Sequence, residues 1–300
     1  MAEPQDTARR AALWGHAAML AFALTISVSF TLGKRAVPYL SPEAMTAARF
    51  FVACLVIGVL AVPVLRRAHL AGLWRYAVIG GLFAAYFVLM FEALSLTDPV
   101  SVAAIFTLTP TMSAGFGWIL LRQRASSTML GALALGAIGA FWVVFRGDVS
   151  AMLAFDLGLG EWLFVLGCFL HAAYTPLTKK LSRGEPAVVF ALGSLVAGLG
   201  VTLLWGGRGV AATDWAGLPF IAIAAVLYLG LAATAFSFIL TRFAAARLPS
   251  GKVMAYGYLV PVFVILWEGV LTGKWVALPV WLGVLATVTA LTFLLAEHDR

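Results

Sequence analysis

Residues 98–121 read DPVSVAAIFTLTPTMSAGFGWILL, and residues 250–272 read SGKVMAYGYLVPVFVILWEGVLT. Each is an apolar run of spanning length with a proline near its middle, Pro110 in the first and Pro261 in the second. A proline inside a helix removes one backbone bond and leaves the carbonyl four residues earlier without its partner; here those carbonyls belong to Phe106 and Gly257. In hydrocarbon, irregular backbone is tolerated only against protein or a water-filled cavity. A matched pair of broken runs, one in each half of a repeat, therefore points to a transport site near the bilayer midplane.

Composition agrees with a membrane setting. The chain is 63% hydrophobic and 11% charged, with several runs of about twenty residues almost free of charge, which excludes both an ordinary soluble domain and a disordered chain. Its net charge of +7 comes from short basic clusters between apolar runs, not from a continuous basic face, so no nucleic-acid partner is implied. Cys54 and Cys168 lie inside apolar runs and imply no disulfide framework. Polar residues 3–10 precede a first run longer than any signal-peptide core, so that run is expected to stay as a span.

Ten spans are expected, at about 12–32, 44–65, 76–96, 100–121, 128–145, 161–181, 187–205, 218–240, 251–271 and 276–295. The longest connection, 146–160, divides the chain into halves 1–150 and 151–300. With the N-terminus inside, fourteen Lys and Arg fall on the inner segments (Arg9, Arg10, Arg66, Arg67, Arg75, Arg122, Arg124, Lys179, Lys180, Arg183, Arg242, Arg247, Lys252, Arg300). Five fall outside (Lys34, Arg35, Arg146, Arg208, Lys274), and Arg49 lies within a span. That asymmetry places both termini in the cytoplasm. Five spans per half is an odd number, so related halves must be inverted. Matching marks are present: SLTDP at 95–99 leads to LTP at 108–110, and ARLPS at 246–250 leads to LVP at 259–261.

The stretch ARLPSGKVMAYGYLVPVF at 246–263, EALSLT at 92–97 running on to LTP at 108–110, and GCFLHAAY at 167–174 resemble the drug/metabolite transporter superfamily. The likeness is to its ten-span EamA-type members, and especially to bacterial exporters of aromatic and other amino acids. The family often has Leu-Gly-Glu after the fourth and ninth spans, where this chain has Leu121-Arg122-Gln123 and Thr272-Gly273-Lys274. The resemblance implies an all-α inner-membrane transporter with no cofactor, working on a small-molecule substrate as a monomer or homodimer.

Charged groups inside spans are functional candidates, because hydrocarbon does not tolerate them unpaired. Arg49 and Glu92 each lie about five residues from the outer end of a span, roughly 7–8 Å deep at 1.5 Å per residue. They are expected to form either a structural ion pair or an outer gate. Glu268, about one turn from the outer end, is expected to be interfacial. His171 stands near a span centre with Tyr174 and Thr178 on the same stripe. It either lines the cavity or bonds a helix carbonyl. Thr107 and Tyr258 precede the two prolines by three residues, and Tyr86, Met90 and Thr25 are placed to face the same space. Gly131, Gly136 and Ala140, with Ala286 and Ala290, give two spans small faces for close packing, within one chain or between two.

No zinc-protease, nucleophile-elbow or phosphate-loop motif is present, and no segment is large enough for a soluble ATPase, which disfavours an enzyme or primary pump. No carboxylate stands at mid-membrane, so a small zwitterion is expected over a lipophilic cation. The expected function is export of small metabolites, amino acids first, by alternating access. Facilitated flow and proton antiport both fit. Drugs, nucleosides and sugar-like metabolites remain alternative substrates, and a non-transporting scaffold or sensor is the other class.

Overall fold

The computed structural model describes residues 4–123, 125–248 and 250–296, without the side chains of 4–9, 250 and 251; Glu3, Arg124, Pro249 and Arg300 lie outside the described residues. Among the described residues the chain is helical throughout, with no strand. The helices are α1 (Pro4–Ala36), α2 (Pro42–Ala61), α3 (Trp74–Leu96), α4 (Pro99–Phe106), α5 (Thr109–Leu121), α6 (Ser127–Val144) and α7 (Val149–Ala154). After these come α8 (Leu159–Leu181), α9 (Ala187–Ala212), α10 (Phe220–Gly230), α11 (Ser237–Ala245), α12 (Ser250–Ala255), α13 (Val260–Thr272) and α14 (Val280–Ala296). Eight helical stretches among the described residues are long and apolar enough to cross a membrane; α8, of 23 residues, and α14, of 17, accompany them.

Local chemistry sets the helix starts. Ser41 accepts from the Ala44 N–H with Pro42 in the first turn of α2. Asp98 accepts from the N–H groups of Val100 and Ser101 with Pro99 in the first turn of α4. In both places a side-chain oxygen satisfies donors that the helix cannot, and proline occupies a site where its missing N–H costs nothing. The connection 146–160 contains the short helix α7, which the sequence reading had not foreseen. The Ala151 and Ser150 N–H groups at its start hold the Asp148 carboxyl below the usual carboxylate range.

Both proline-centred runs are broken, and in the same way. Pro110 is the second residue of α5 and Pro261 the second of α13; before each, a tight turn separates a short first helix, α4 or α12, from the longer one. The second halves also end alike, with Arg122 (φ 54°) and Gly273 (φ 71°) both in the left-handed conformation that closes a helix. The Gly257 carbonyl, expected from the sequence to lack a partner, has one: the 3₁₀ turn Tyr256–Leu259 brings the Val260 N–H onto it. A third break has no proline: Leu231–Phe236, between α10 and α11, is π-helical.

The two halves of the chain interlock. α3 packs on α8 and α9, α2 on α9 and α10, α1 on α10, α11 and α13, and α6 on α14. Two crossings depend on glycine. A Cβ on Gly80 of α3 would collide with the Ser194 carbonyl and lie 2.5 Å from the Gly198 nitrogen of α9; one on Gly230 of α10 would lie 2.5 Å from Val52 of α2. The small faces of α6 and α14 meet within the chain through Gly139 and Gly283, where a Cβ on either would stand 2.7 Å from the other's carbonyl oxygen. Gly131 is not part of that seam and faces open space.

Candidate functional site

The broken helices and α8 enclose a cavity of about 240 Å³. Phe106, Thr109 and Pro110 come from the first break, and Val253, Met254 and Gly257 from the second. His171, Tyr174 and Thr175 come from α8, Phe83 from α3, and Ala233 and Thr234 from the π segment, with Ser237, Phe238 and Thr241 following on α11. The wall is thus aromatic, aliphatic and hydroxylic, and among the described residues no Asp, Glu, Lys or Arg reaches it. Its lining also includes Ile57 near the end of α2, Ala191 near the start of α9, and Val253 and Met254 of α12. It therefore occupies the part of the bundle nearer the α8–α9 and α11–α12 turns. A second hollow shares Pro110, Thr175 and Met254 with it and continues to Lys179 and Gln123 at that end.

His171 sits in an aromatic stack, its ring 4.4 Å from Tyr86 and 5.9 Å from Tyr174 by centroids. Its Nδ1 is buried without a hydrogen-bond partner among the described residues, so the expected alternative of a bond to a helix carbonyl is absent at that atom. An unpartnered polar atom beside a cavity is a site that an occupant can complete, since leaving it unmade carries a desolvation cost. Tyr86 backs the histidine without itself lining the space, and Met90 is buried in the core.

Other expected positions fall elsewhere. Tyr258 is fully buried, its ring filling the place that a Cβ on Gly136 would take, among Ala132, Leu291 and Leu294. The 3₁₀ turn rotates it to the α6–α14 side and presents Gly257 to the cavity instead. Pro261 is buried and absent from the lining, whereas Pro110 belongs to it. Thr107 donates to the Ala104 carbonyl and Thr25 to the Ala21 carbonyl, each within its own helix, so neither hydroxyl faces the cavity.

Arg49 and Glu92 do not pair. Arg49 is 2% exposed; its Nε donates to Thr234 Oγ1 at 2.7 Å, Nη2 to the Ala233 carbonyl at 3.2 Å, and its guanidinium lies 3.6 Å over the Phe87 ring. Glu92 is exposed on another face of α3. The buried ion pair is instead Arg75–Glu185, at 2.7 Å with each side chain 3% exposed, joining α3 to the α8–α9 turn. Burial pushes the Glu185 carboxyl up, but its own backbone N–H, the Arg75 guanidinium and the Arg183 N–H outweigh it and hold the group below the usual carboxylate range. Sequence reasoning missed Thr234, Ser237 and Thr241, although their i, i+3, i+7 spacing was a readable polar stripe.

The family model for EamA-like transporters matches residues 13–145 and again 158–296. The chain belongs to the EamA-like transporter family. Members of that family, part of the drug/metabolite transporter superfamily, are membrane-embedded multi-pass transporters and not enzymes. The chain is 25% identical over 174 residues to the uncharacterized transporter YyaM of Bacillus subtilis (strain 168), covering 56% of this chain and 57% of that one. It is 28% identical over 107 residues to the uncharacterized transporter sll1164 of Synechocystis sp. (strain ATCC 27184 / PCC 6803 / Kazusa), covering 35% and 31%. The matches thus span little more than half of these relatives at most. A solved structure, described only as the crystal structure of a protein, superposes with a TM-score of 0.69 over 95% of this chain and 97% of that one at 18% identity, a likeness of fold.

Proposed function

We propose that this EamA-like transporter exports small metabolites, amino acids foremost, across a bacterial inner membrane by alternating access. Counting α8 and α14 gives ten spans, read as inverted halves 1–150 and 151–300 with both termini cytoplasmic. The like geometry of the breaks at Pro110 and Pro261, and of the caps at Arg122 and Gly273, supports the repeat. With the basic ends inside, the cavity lies in the cytoplasmic half and the conformation is inward-facing. The observation that carries the reading is the cavity itself: uncharged, aromatic and hydroxylic, with His171, Tyr174 and Pro110 in its wall. Such a wall suits the side chain of an apolar or aromatic amino acid, while hydroxyls and imidazole answer its polar end.

Purified protein in liposomes, loaded with a panel of radiolabelled amino acids with and without an imposed pH gradient, tests the reading. Saturable efflux of at least one apolar or aromatic amino acid is expected. Efflux of none rejects the amino-acid assignment, and the response to the gradient separates proton antiport from facilitated flow. A second reading, export of lipophilic drugs or nucleoside-like metabolites, is favoured by the apolar share of the wall, where Phe22, Phe83, Phe106 and Phe238 face the space. Competition for efflux by these compounds and not by amino acids would select it.

A further inference from the structure

Arg49 is a positive charge sealed inside the bundle without a negative one. Its three contacts are a hydroxyl, a carbonyl and an aromatic face, and its Nη1 is buried with no hydrogen-bond partner among the described residues. No carboxylate among the described residues lies within ion-pair distance of it. A buried guanidinium in hydrocarbon is retained against a large desolvation cost, and one held only by neutral groups is left uncompensated. Its position relates it to the cavity. Thr234 and Ala233, the two residues that it bonds, both form the cavity wall, so the guanidinium stands one layer behind that wall. The π segment makes this possible: the Thr234 hydroxyl gives its hydrogen to the Leu229 carbonyl five residues back at 2.8 Å, which turns its lone pair toward Arg49.

We infer that Arg49 is the counter-charge for the substrate's carboxylate, so that the cavity selects carboxylate-bearing molecules with an apolar or aromatic body and rejects amines that lack the acid. This rests on the proposed transport function and narrows its substrate class. Among the described residues the wall itself carries no charge to answer an anion, and a charge in a low-dielectric surround acts beyond direct contact. The unpartnered Nη1 and the long 3.2 Å bond from Nη2 leave the charge incompletely satisfied behind the wall, so a carboxylate in the cavity can offset it across Thr234 and Ala233.

The test compares three probes that share a phenyl ring: L-phenylalanine, 3-phenylpropionate and phenethylamine, as binding to the full-length protein in nanodiscs and as flux in liposomes. Wild type is expected to bind and move the first two at least tenfold better than the amine. Arg49→Gln is expected to remove that preference and Arg49→Lys to keep it in weaker form, each checked for folding by gel filtration. Equal handling of acid and amine by wild type, or an undiminished preference in a folded Arg49→Gln protein, would overturn the inference while leaving transport intact. Should Arg49→Gln fail to fold, the wild-type comparison and Arg49→Lys still decide. If wild type handles none of the three probes, this inference falls, while the amino-acid reading is decided separately by the liposome panel.

Discussion

Replacing His171 with Phe should make the protein more stable and a poorer transporter. The ring stack on Tyr86, at 4.4 Å and an interplanar angle of 23°, survives the change, because Phe offers the same flat face and the cavity takes its extra ring atom. What disappears is a buried nitrogen with no partner among the described residues, and leaving such an atom unbonded costs about 1–3 kcal/mol. Relief of even 1 kcal/mol would raise the unfolding midpoint by about 2–4 °C. The substrate, if it bonds the imidazole, loses a hydrogen bond worth about 0.5–1.5 kcal/mol, or about 2- to 12-fold in affinity. Tryptophan-fluorescence melting in detergent reads the first quantity, and titration with a compound that the liposome panel shows to be moved reads the second. A variant that melts lower, or that binds substrate as tightly as wild type, would refute the view of His171 as an unsatisfied binding group.

Gly80→Ala should cost about 1–3 kcal/mol, because the added methyl meets α9 backbone that cannot yield, whereas Gly81→Ala, facing open space, should be near neutral; parallel melts compare them. Arg122→Gly should stabilise by about 1 kcal/mol, since a non-glycine residue at φ 54° carries a steric cost that glycine avoids, again read as a higher midpoint. The Glu185 carboxyl is lowered in the folded chain, so its contribution is complete above the unfolded value of about 4.3 and fades as pH falls through the lower folded one. Melts between pH 7 and pH 3 should therefore lose less stability in Glu185→Gln than in wild type. Lys34→Met removes charged bonds to the Leu94 and Thr97 carbonyls and should raise deuterium uptake at residues 94–101, with no change counting against the seam described below.

Most of the helical architecture was legible because it depends on long apolar runs, charge placement and two prolines. The breaks at Pro110 and Pro261 came where expected, since the missing N–H is a local fact. Which way the side chains near each break would turn was not legible. Tyr258 and Gly257 are neighbours in sequence, yet the 3₁₀ turn sends one behind Gly136 and the other to the cavity, an outcome decided by the glycine on a helix more than a hundred residues away. The π segment carries no proline or glycine within it to announce it, so Arg49 could be placed in depth but not matched to Thr234. Similar depth made Glu92 look like its partner, but depth along a helix does not fix rotation about it.

The two ends of the bundle are held by different chemistry, and under the proposed alternating access the difference indicates which contacts would exchange. At the Arg75 end the buried pair joins α3 to the α8–α9 turn, helices already packed along their length, so it binds elements that move together. At the opposite end Lys34 of α1 donates to carbonyls at the end of α3, Thr97 bonds Glu161 of α8, and Arg146 beyond α6 bonds Asp98 at the start of α4. α1 and α3 otherwise touch lightly, and α1 packs mainly on α11 and α13. The Lys34 bonds therefore cross a seam between one body built on α3, α8 and α9 and another built on α1, α11 and α13. Side-chain bonds to carbonyls at a helix end can open to water without stranding buried charge, whereas opening Arg75–Glu185 would strand two. The Lys34 bonds thus lie across the lightly packed seam and the costly pair lies inside a body, which is the distribution that the proposed alternating access would use.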